Sequence, residues 1–314
     1  MLGFIYAGQG SQRVGMGKDF YEAYPVFAKV FDEAPEYVKK YCFEGPKETL
    51  GQTRYTQPCM VAFAVGVTNL LREENIIPDY VCGLSLGEYS ALYSAGVFSQ
   101  KDVLDLIEFR GIAMEEAVVG RKAKMAAVLM MDRQTIEDCC KKAGEQVSDG
   151  LVVSVANYNC PGQIVISGDE EAVDCAIELL KEAGAKRIIP LAVSGPFHTS
   201  LMKPAGDGLA KKFKEIKFNE PSQKVIYNKT AREIAEDETI PGLLEQQVQS
   251  SVYLEDSIRY MIDKGVDTII EIGPGKGVGK FVNKIDKSIK VISIDSVDDY
   301  KEAVSYLKGE NDEQ

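Results

Sequence analysis

The chain has 314 residues, enough for one large domain or two unequal ones around a sizeable core. Its 48 acidic against 36 basic residues leave a net charge of −12, the wrong sign for a general nucleic-acid binder. The seven cysteines are odd in number and form no C-x-x-C pair, which fits a reducing cytoplasmic compartment and argues against a zinc site. The first apolar run, in "MLGFIYAGQGSQ", is too short for a signal peptide. The stretch "MVAFAVGVTNLL" is too short to span a bilayer, so no membrane partner is expected.

Strands and helices alternate from the start. "LGFIYAG" reads as a buried strand that runs into the Gly-rich loop "AGQGSQ", residues 7–12. "PCMVAFAVGVTNLLREEN" reads as a core helix, "DYVCGLS" as a strand, and "LGEYSALYSAGV" as a helix that follows it at once. The helix "SQKDVLDLIEFRGIAMEEAV" opens with Ser99 and Asp102 at capping-box spacing. The pattern then changes. "KMAAVLMM", "DRQTIEDCCKKAG", "GLVVSVANYN", "GQIVISG", "DEEAVDCAIELLKEAG" and "AKRIIPLA" spell β-α-β-β-α-β, the ferredoxin-like order. "GVDTIIEIGPG" and "KVISIDS" return to short apolar strands. The expected architecture is a mostly parallel α/β domain, discontinuous over 1–122 and 192–307. A ferredoxin-like small domain is inserted at 123–191, and 308–314 form a polar tail.

Gly83-Leu84-Ser85-Leu86-Gly87 is a G-x-S-x-G between a strand and a helix. A serine at such a junction sits on a tight turn with its hydroxyl displayed. The amide of the next residue, Leu86, lies at a helix start and can stabilise an oxyanion. A serine hydroxyl needs a base within reach, and His198, in "SGPFHTSLMKPA", is the sole histidine. Its loop follows the last strand of the inserted unit, at a strand end where α/β sites form. Arg110 shares a helical face with Val103, Leu106, Ile107 and Met114, so its guanidinium faces the interior. Burial demands an anionic partner. The pattern leaves open whether that is a structural salt bridge or a substrate carboxylate held in a bidentate fork. "AGQGSQ" lacks the phosphate-loop signatures, but its glycines permit close backbone approach. Lys276, Lys280 and Lys284 recur every four residues, as either a basic ridge or an ordinary solvated helix face.

Together "GQGSQ", "GLSLGEYSAL", "RGIAMEEAV", "ANYNCPGQIVISG", "FHTSLMKPA" and "EIGPGKGVG" resemble the malonyl-coenzyme A:acyl carrier protein transacylase family over nearly the whole chain. The resemblance implies a hydrolase-like α/β domain carrying a ferredoxin-like insert. It implies Ser85 as nucleophile, His198 as general base and Arg110 as the grip on a substrate carboxylate. It further implies that the amides of Gln9 and Leu86 form the oxyanion hole and that a main-chain carbonyl, matched here to Tyr253, orients the histidine. Phe197, beside the base, would crowd a branched acyl carbon and favour malonyl over methylmalonyl. Two positions depart from the family: Ala7 replaces a proline, and Leu84 replaces a histidine.

The implied reaction is ping-pong transfer of malonyl from coenzyme A to the phosphopantetheine thiol of acyl carrier protein, in fatty-acid biosynthesis. The coenzyme A thioester is substrate, no permanently bound cofactor or metal is expected, and nothing demands more than a monomer. An acidic carrier protein would dock at basic residues near the entrance, such as Lys276 or Lys280. The rival readings are a stand-alone acyltransferase serving a polyketide synthase and a serine esterase or thioesterase with Asp169 or Asp174 as triad acid. A third is a non-catalytic carrier-docking module.

Overall fold

The computed structural model describes residues 1–192 and 195–309. Its described strands are β1 (Leu2–Tyr6), β2 (Tyr80–Gly83), β3 (Ala123–Leu129), β4 (Val153–Cys160), β5 (Gln163–Asp169), β6 (Arg187–Pro190), β7 (Lys224–Val225), β8 (Val252–Tyr253), β9 (Thr268–Ile272) and β10 (Lys290–Ile294). They form two five-stranded sheets.

The first sheet runs β10-β9-β1-β2-β7 with every neighbouring pair parallel. Its central strands are buried on both faces. Phe4, Ile5 and Tyr6 are all buried, as are Ile269, Ile270 and Ile272, so these strands read as continuous apolar runs rather than alternations. The α/β expectation with a mostly parallel sheet holds.

The second sheet runs β6-β3-β5-β4-β8. β3 pairs antiparallel with β5 and β6, and β4 antiparallel with β5. Helices Arg133–Gln146 and Glu170–Glu182 pack on each other and on this sheet, closing a core of Ala126, Val128, Ile136, Ile166, Val173 and Leu180. The strand β8 lies outside residues 123–191, yet it pairs parallel with β4 through Asn157–Val252 and Tyr158–Tyr253. The ring of Tyr253 stacks on Tyr158 at 4.9 Å, and Arg133 covers the Tyr158 face at 3.8 Å while reaching Asp256 at 3.1 Å. Main-chain pairing, aromatic stacking and an ion pair thus fasten residues 252–256, which follow the insert in the chain, to the inserted segment.

Several boundaries differ from expectation. The core helix begins at Thr53 and carries Pro58 within it. Short helices at Lys18–Ala23, Pro25–Glu33, Glu36–Phe43 and Lys47–Leu50, where no elements were read, pack on one another and around the core helix. Ser99 caps its helix by accepting from the Asp102 amide at 3.1 Å, whereas the fully reciprocal capping box is Ser296 with Asp299. Of the tail expected at 308–314, Lys308 and Gly309 are described, and Lys308 ion-pairs with Glu74; the rest lies outside the described residues.

Candidate active site

β2 ends at Gly83 and the next helix starts at Gly87, so the chain must reverse within three residues. Ser85 takes φ +53° to do so, a conformation costing an L-residue about 1–2 kcal/mol. The flanking glycines are steric requirements. A side chain at Gly83 would overlap the backbone of Gly87, and one at Gly87 would overlap the Tyr6 carbonyl. Leu84 packs against Gly8 and the apolar cluster beneath the first sheet, so the position departing from the expected histidine is an apolar wall.

His198, itself at φ +63°, places Nε2 2.7 Å from Ser85 Oγ. Its Nδ1 lies 3.0 Å from the carbonyl oxygen of Gln247. A carbonyl only accepts, so Nδ1 carries the proton and the Nε2 lone pair faces the serine. Burial, followed by the charge of Arg110, pulls the imidazole down to about 4, against the raising influence of the Gln247 and Ser250 carbonyls. The ring is therefore neutral near pH 7 and able to accept a proton.

The orienting carbonyl is not that of Tyr253. The Tyr253 carbonyl accepts from Ser257 Oγ at 2.7 Å, and the residue is committed to the β4–β8 seam. Gln247 closes the helix Ile240–Gln247, where terminal carbonyls lack intrahelical donors and are free to accept from elsewhere.

Arg110 is buried and its guanidinium lies against the Tyr89 ring at 5.1 Å. Nη1 donates to Gln57 Oε1 at 2.7 Å, and Nη2 donates to Gln247 Oε1 at 3.1 Å and to Ser85 Oγ at 3.3 Å. Nε has no partner among the described residues. Nor does any carboxylate among them form a salt bridge with Arg110, which removes the structural salt-bridge reading. Neutral amides position the cation beside the serine, and the buried Glu88 acts on it electrostatically without forming a salt bridge.

Ser85, His198 and Arg110 share a cleft of about 150 Å³ with Gln9, Leu86 and Phe197. The amides of Gln9 and Leu86 donate to no group among the described residues. The Gln9 side chain is held by Thr53 Oγ1 at 3.1 Å. Met125, Asn157, Asn159, Val165 and Leu191 form the opposite wall, contributed by the second sheet.

The acyl transferase domain family matches residues 3–301. The chain belongs to that family. It is 42% identical to the malonyl CoA-acyl carrier protein transacylase of Bacillus subtilis over 99% of this chain and 98% of that one. The crystal structure of MCAT from Streptococcus pneumoniae superposes with a TM-score of 0.91 at 42% identity, covering 98% of this chain and all of the other. A malonyl-transacylase solved in complex with a type II PKS acyl-carrier protein superposes at 0.92 with 34% identity, over 97% of this chain and 99% of that one.

Within this acyl transferase, the acids considered as triad members lie elsewhere. Asp169 pairs with Arg121 at 2.7 Å and accepts the Val152 amide, while Asp174 pairs with Lys124 at 2.5 Å. The lysine ridge is also broken. Lys276 precedes the helix Gly277–Ile285 and pairs with Asp299 at 2.6 Å, and none of the three lysines lines the cleft. Sequence reasoning missed Gln57, Gln247 and Asn228. Gln57 stands one residue before the expected helix start, and Gln247 and Asn228 sit in segments with little periodicity. Among the described residues no cluster of His, Cys, Asp and Glu could hold a metal ion, and no helix is long and apolar enough to cross a membrane.

Proposed function

We propose that the chain is an acyl-carrier-protein S-malonyltransferase, moving malonyl from coenzyme A to the phosphopantetheine thiol of acyl carrier protein through a seryl ester, in fatty-acid biosynthesis. The observation that carries this reading is a Ser85–His198 pair at 2.7 Å with a buried arginine, unmatched by any described carboxylate, 3.3 Å from the same hydroxyl. An esterase has no need of a fixed cation at the acyl end, whereas a malonyl group brings the missing carboxylate.

In the first half-reaction His198 Nε2 takes the Ser85 proton as Oγ bonds to the thioester carbonyl carbon. The amides of Leu86 and Gln9 face the resulting oxyanion. The intermediate collapses by breaking the carbon–sulfur bond, the proton on His198 passes to the departing thiolate, and coenzyme A leaves as the thiol. Arg110 holds the malonyl carboxylate through charge-assisted hydrogen bonds, and the ester stays anchored. In the second half-reaction His198 takes the proton of the phosphopantetheine thiol, the sulfur attacks the ester carbon, and Ser85 leaves with that proton. Gln247 orients the imidazole throughout. Phe197 crowds a substituent on the acyl carbon, favouring malonyl over methylmalonyl.

We further read residues 123–191 as a ferredoxin-like insertion. The strand order β6-β3-β5-β4 with two helices on the sheet supports it. The protein acts in the cytoplasm as a monomer, with no bound cofactor. Intact-mass measurement after incubation with malonyl-, methylmalonyl- and acetyl-coenzyme A tests the core of the scheme. Malonyl should add to the wild type and not to Ser85→Ala; labelling that survives the substitution sinks the seryl ester. The neighbour bound to a type II PKS carrier favours a second reading, a polyketide role. Comparing transfer rates to fatty-acid and polyketide carrier proteins separates the two.

A further inference from the structure

The serine turn makes a demand that the transfer chemistry does not explain. The amides of Gln9 and Leu86 have no partner among the described residues, yet the Ser85 amide is taken by Asn228 Oδ1 at 2.7 Å. On the other side of Leu84, the Gly83 carbonyl accepts from Asn228 Nδ2 at 2.6 Å. One planar side chain therefore bridges the residues either side of Leu84, with both of its polar atoms satisfied. Asn228 is itself wholly buried and fixed by its backbone. Its amide donates to Glu88 Oε2 at 2.7 Å, and its carbonyl accepts from the Tyr253 amide at 2.9 Å. Glu88 lies in the first turn of the helix that the elbow feeds, is buried, and forms no salt bridge among the described residues. Ser85, Asn228 and Glu88 thus form a closed ring of hydrogen bonds and backbone around the left-handed turn.

We infer that Asn228, anchored by Glu88, is a positioning residue for acyl transfer: its side-chain amide holds the turn at Ser85 in the orientation that gives Oγ to His198 and leaves the Leu86 amide for the acyl oxygen. An asparagine fits because the turn offers one donor and one acceptor. Aspartate supplies no donor to Gly83, and alanine supplies neither group. With the Ser85 amide occupied, the amides of Leu86 and Gln9 are left without a partner among the described residues. The inference rests on the reading of Ser85 as nucleophile.

A merely structural asparagine would change how much protein folds, not how fast each reactive serine turns over. The test counts reactive serines in the intact chain by end-point fluorophosphonate labelling and divides malonyl transfer by that count. Asn228→Ala should lose about a hundredfold in kcat per labelled serine, the scale expected when reacting groups are misplaced by about 1 Å, with KM for malonyl-coenzyme A little changed. Asn228→Asp, which keeps the acceptor for the Ser85 amide, should lose less. Glu88→Gln, which retains an oxygen for the Asn228 amide, should retain far more turnover than Glu88→Ala. Normal turnover per labelled serine in Asn228→Ala, or a loss confined to KM, overturns the assignment. If Asn228→Ala does not fold, Asn228→Asp and the Glu88 pair decide by the same criterion. A wild type that takes neither malonyl nor the probe at Ser85 would overturn the acyl-transfer reading instead.

Discussion

The two walls of the cleft are built on different principles. The wall from the first sheet holds Ser85, His198 and Arg110, each buried or partly buried and each fixed by polar contacts to distant segments. The wall from the second sheet offers Met125, Val165 and Leu191 with the amides of Asn157 and Asn159, and no titratable group. Charge and proton chemistry are thus confined to one side, and shape to the other. An acyl group caught between them has its polar end specified electrostatically and its bulk specified by packing.

The division can be broken most severely at the base. His198→Ala should lower malonyl transfer about a thousandfold while malonyl-coenzyme A still binds; a stopped-flow or intact-mass time course measures it. The wild-type pH profile sharpens the same point. The imidazole is active when neutral and is held near 4 rather than its usual 6.5, so activity should persist through pH 6 and fall only as pH drops toward 4. An acid limb near 6.5 in kcat/KM would show that Arg110 and burial do not depress the base in the free enzyme.

Next comes Arg110→Ala, for which we expect kcat/KM for malonyl to fall roughly a hundredfold, with acetyl transfer preserved or gained. Equal losses for both acyl groups would assign the arginine to supporting the serine alone. On the apolar wall, Met125→Ala should cost about 2 kcal/mol or more of stability, read as a lowered Tm, yet shift turnover only severalfold. A loss of turnover as large as that at Arg110 would erase the distinction between the walls. The smallest effect is expected on the exposed face of the helix Gly277–Ile285. Lys280→Glu should weaken transfer to an acidic carrier protein modestly and more at low salt, without touching acylation from coenzyme A.

The first wall was also the more legible in the sequence, because much of it is set by local constraints. Gly83 is fixed by backbone overlap within one turn, and Arg110 betrayed itself by occupying an apolar helical face. The base followed from there being one histidine. The contacts that unite these parts were invisible. Gln247 reaches His198, Arg110 and Ser85 with its own carbonyl, amide oxygen and amide nitrogen, across separations of 49, 137 and 162 residues. No periodicity encodes such a convergence, and a carbonyl bond leaves no mark on residue type. That is why the orienting role fell on Tyr253. β7 and β8 were lost for another reason: two-residue strands are too short to alternate, and pairing with long neighbours defines them. Residues 18–50 went unread because four short helices carry only one or two turns of pattern each.

The seam at β8 has a consequence for substrate size. Its ladder bonds, the Tyr158–Tyr253 stack and the Arg133–Asp256 pair fasten residues 252–256 to the inserted segment at Asn157, which lines the cleft. Joints of this kind resist bending far more than a loop hinge does. We therefore expect the joint to hold the gap between the walls at a fixed width and so to limit the size of the acyl group the cleft admits.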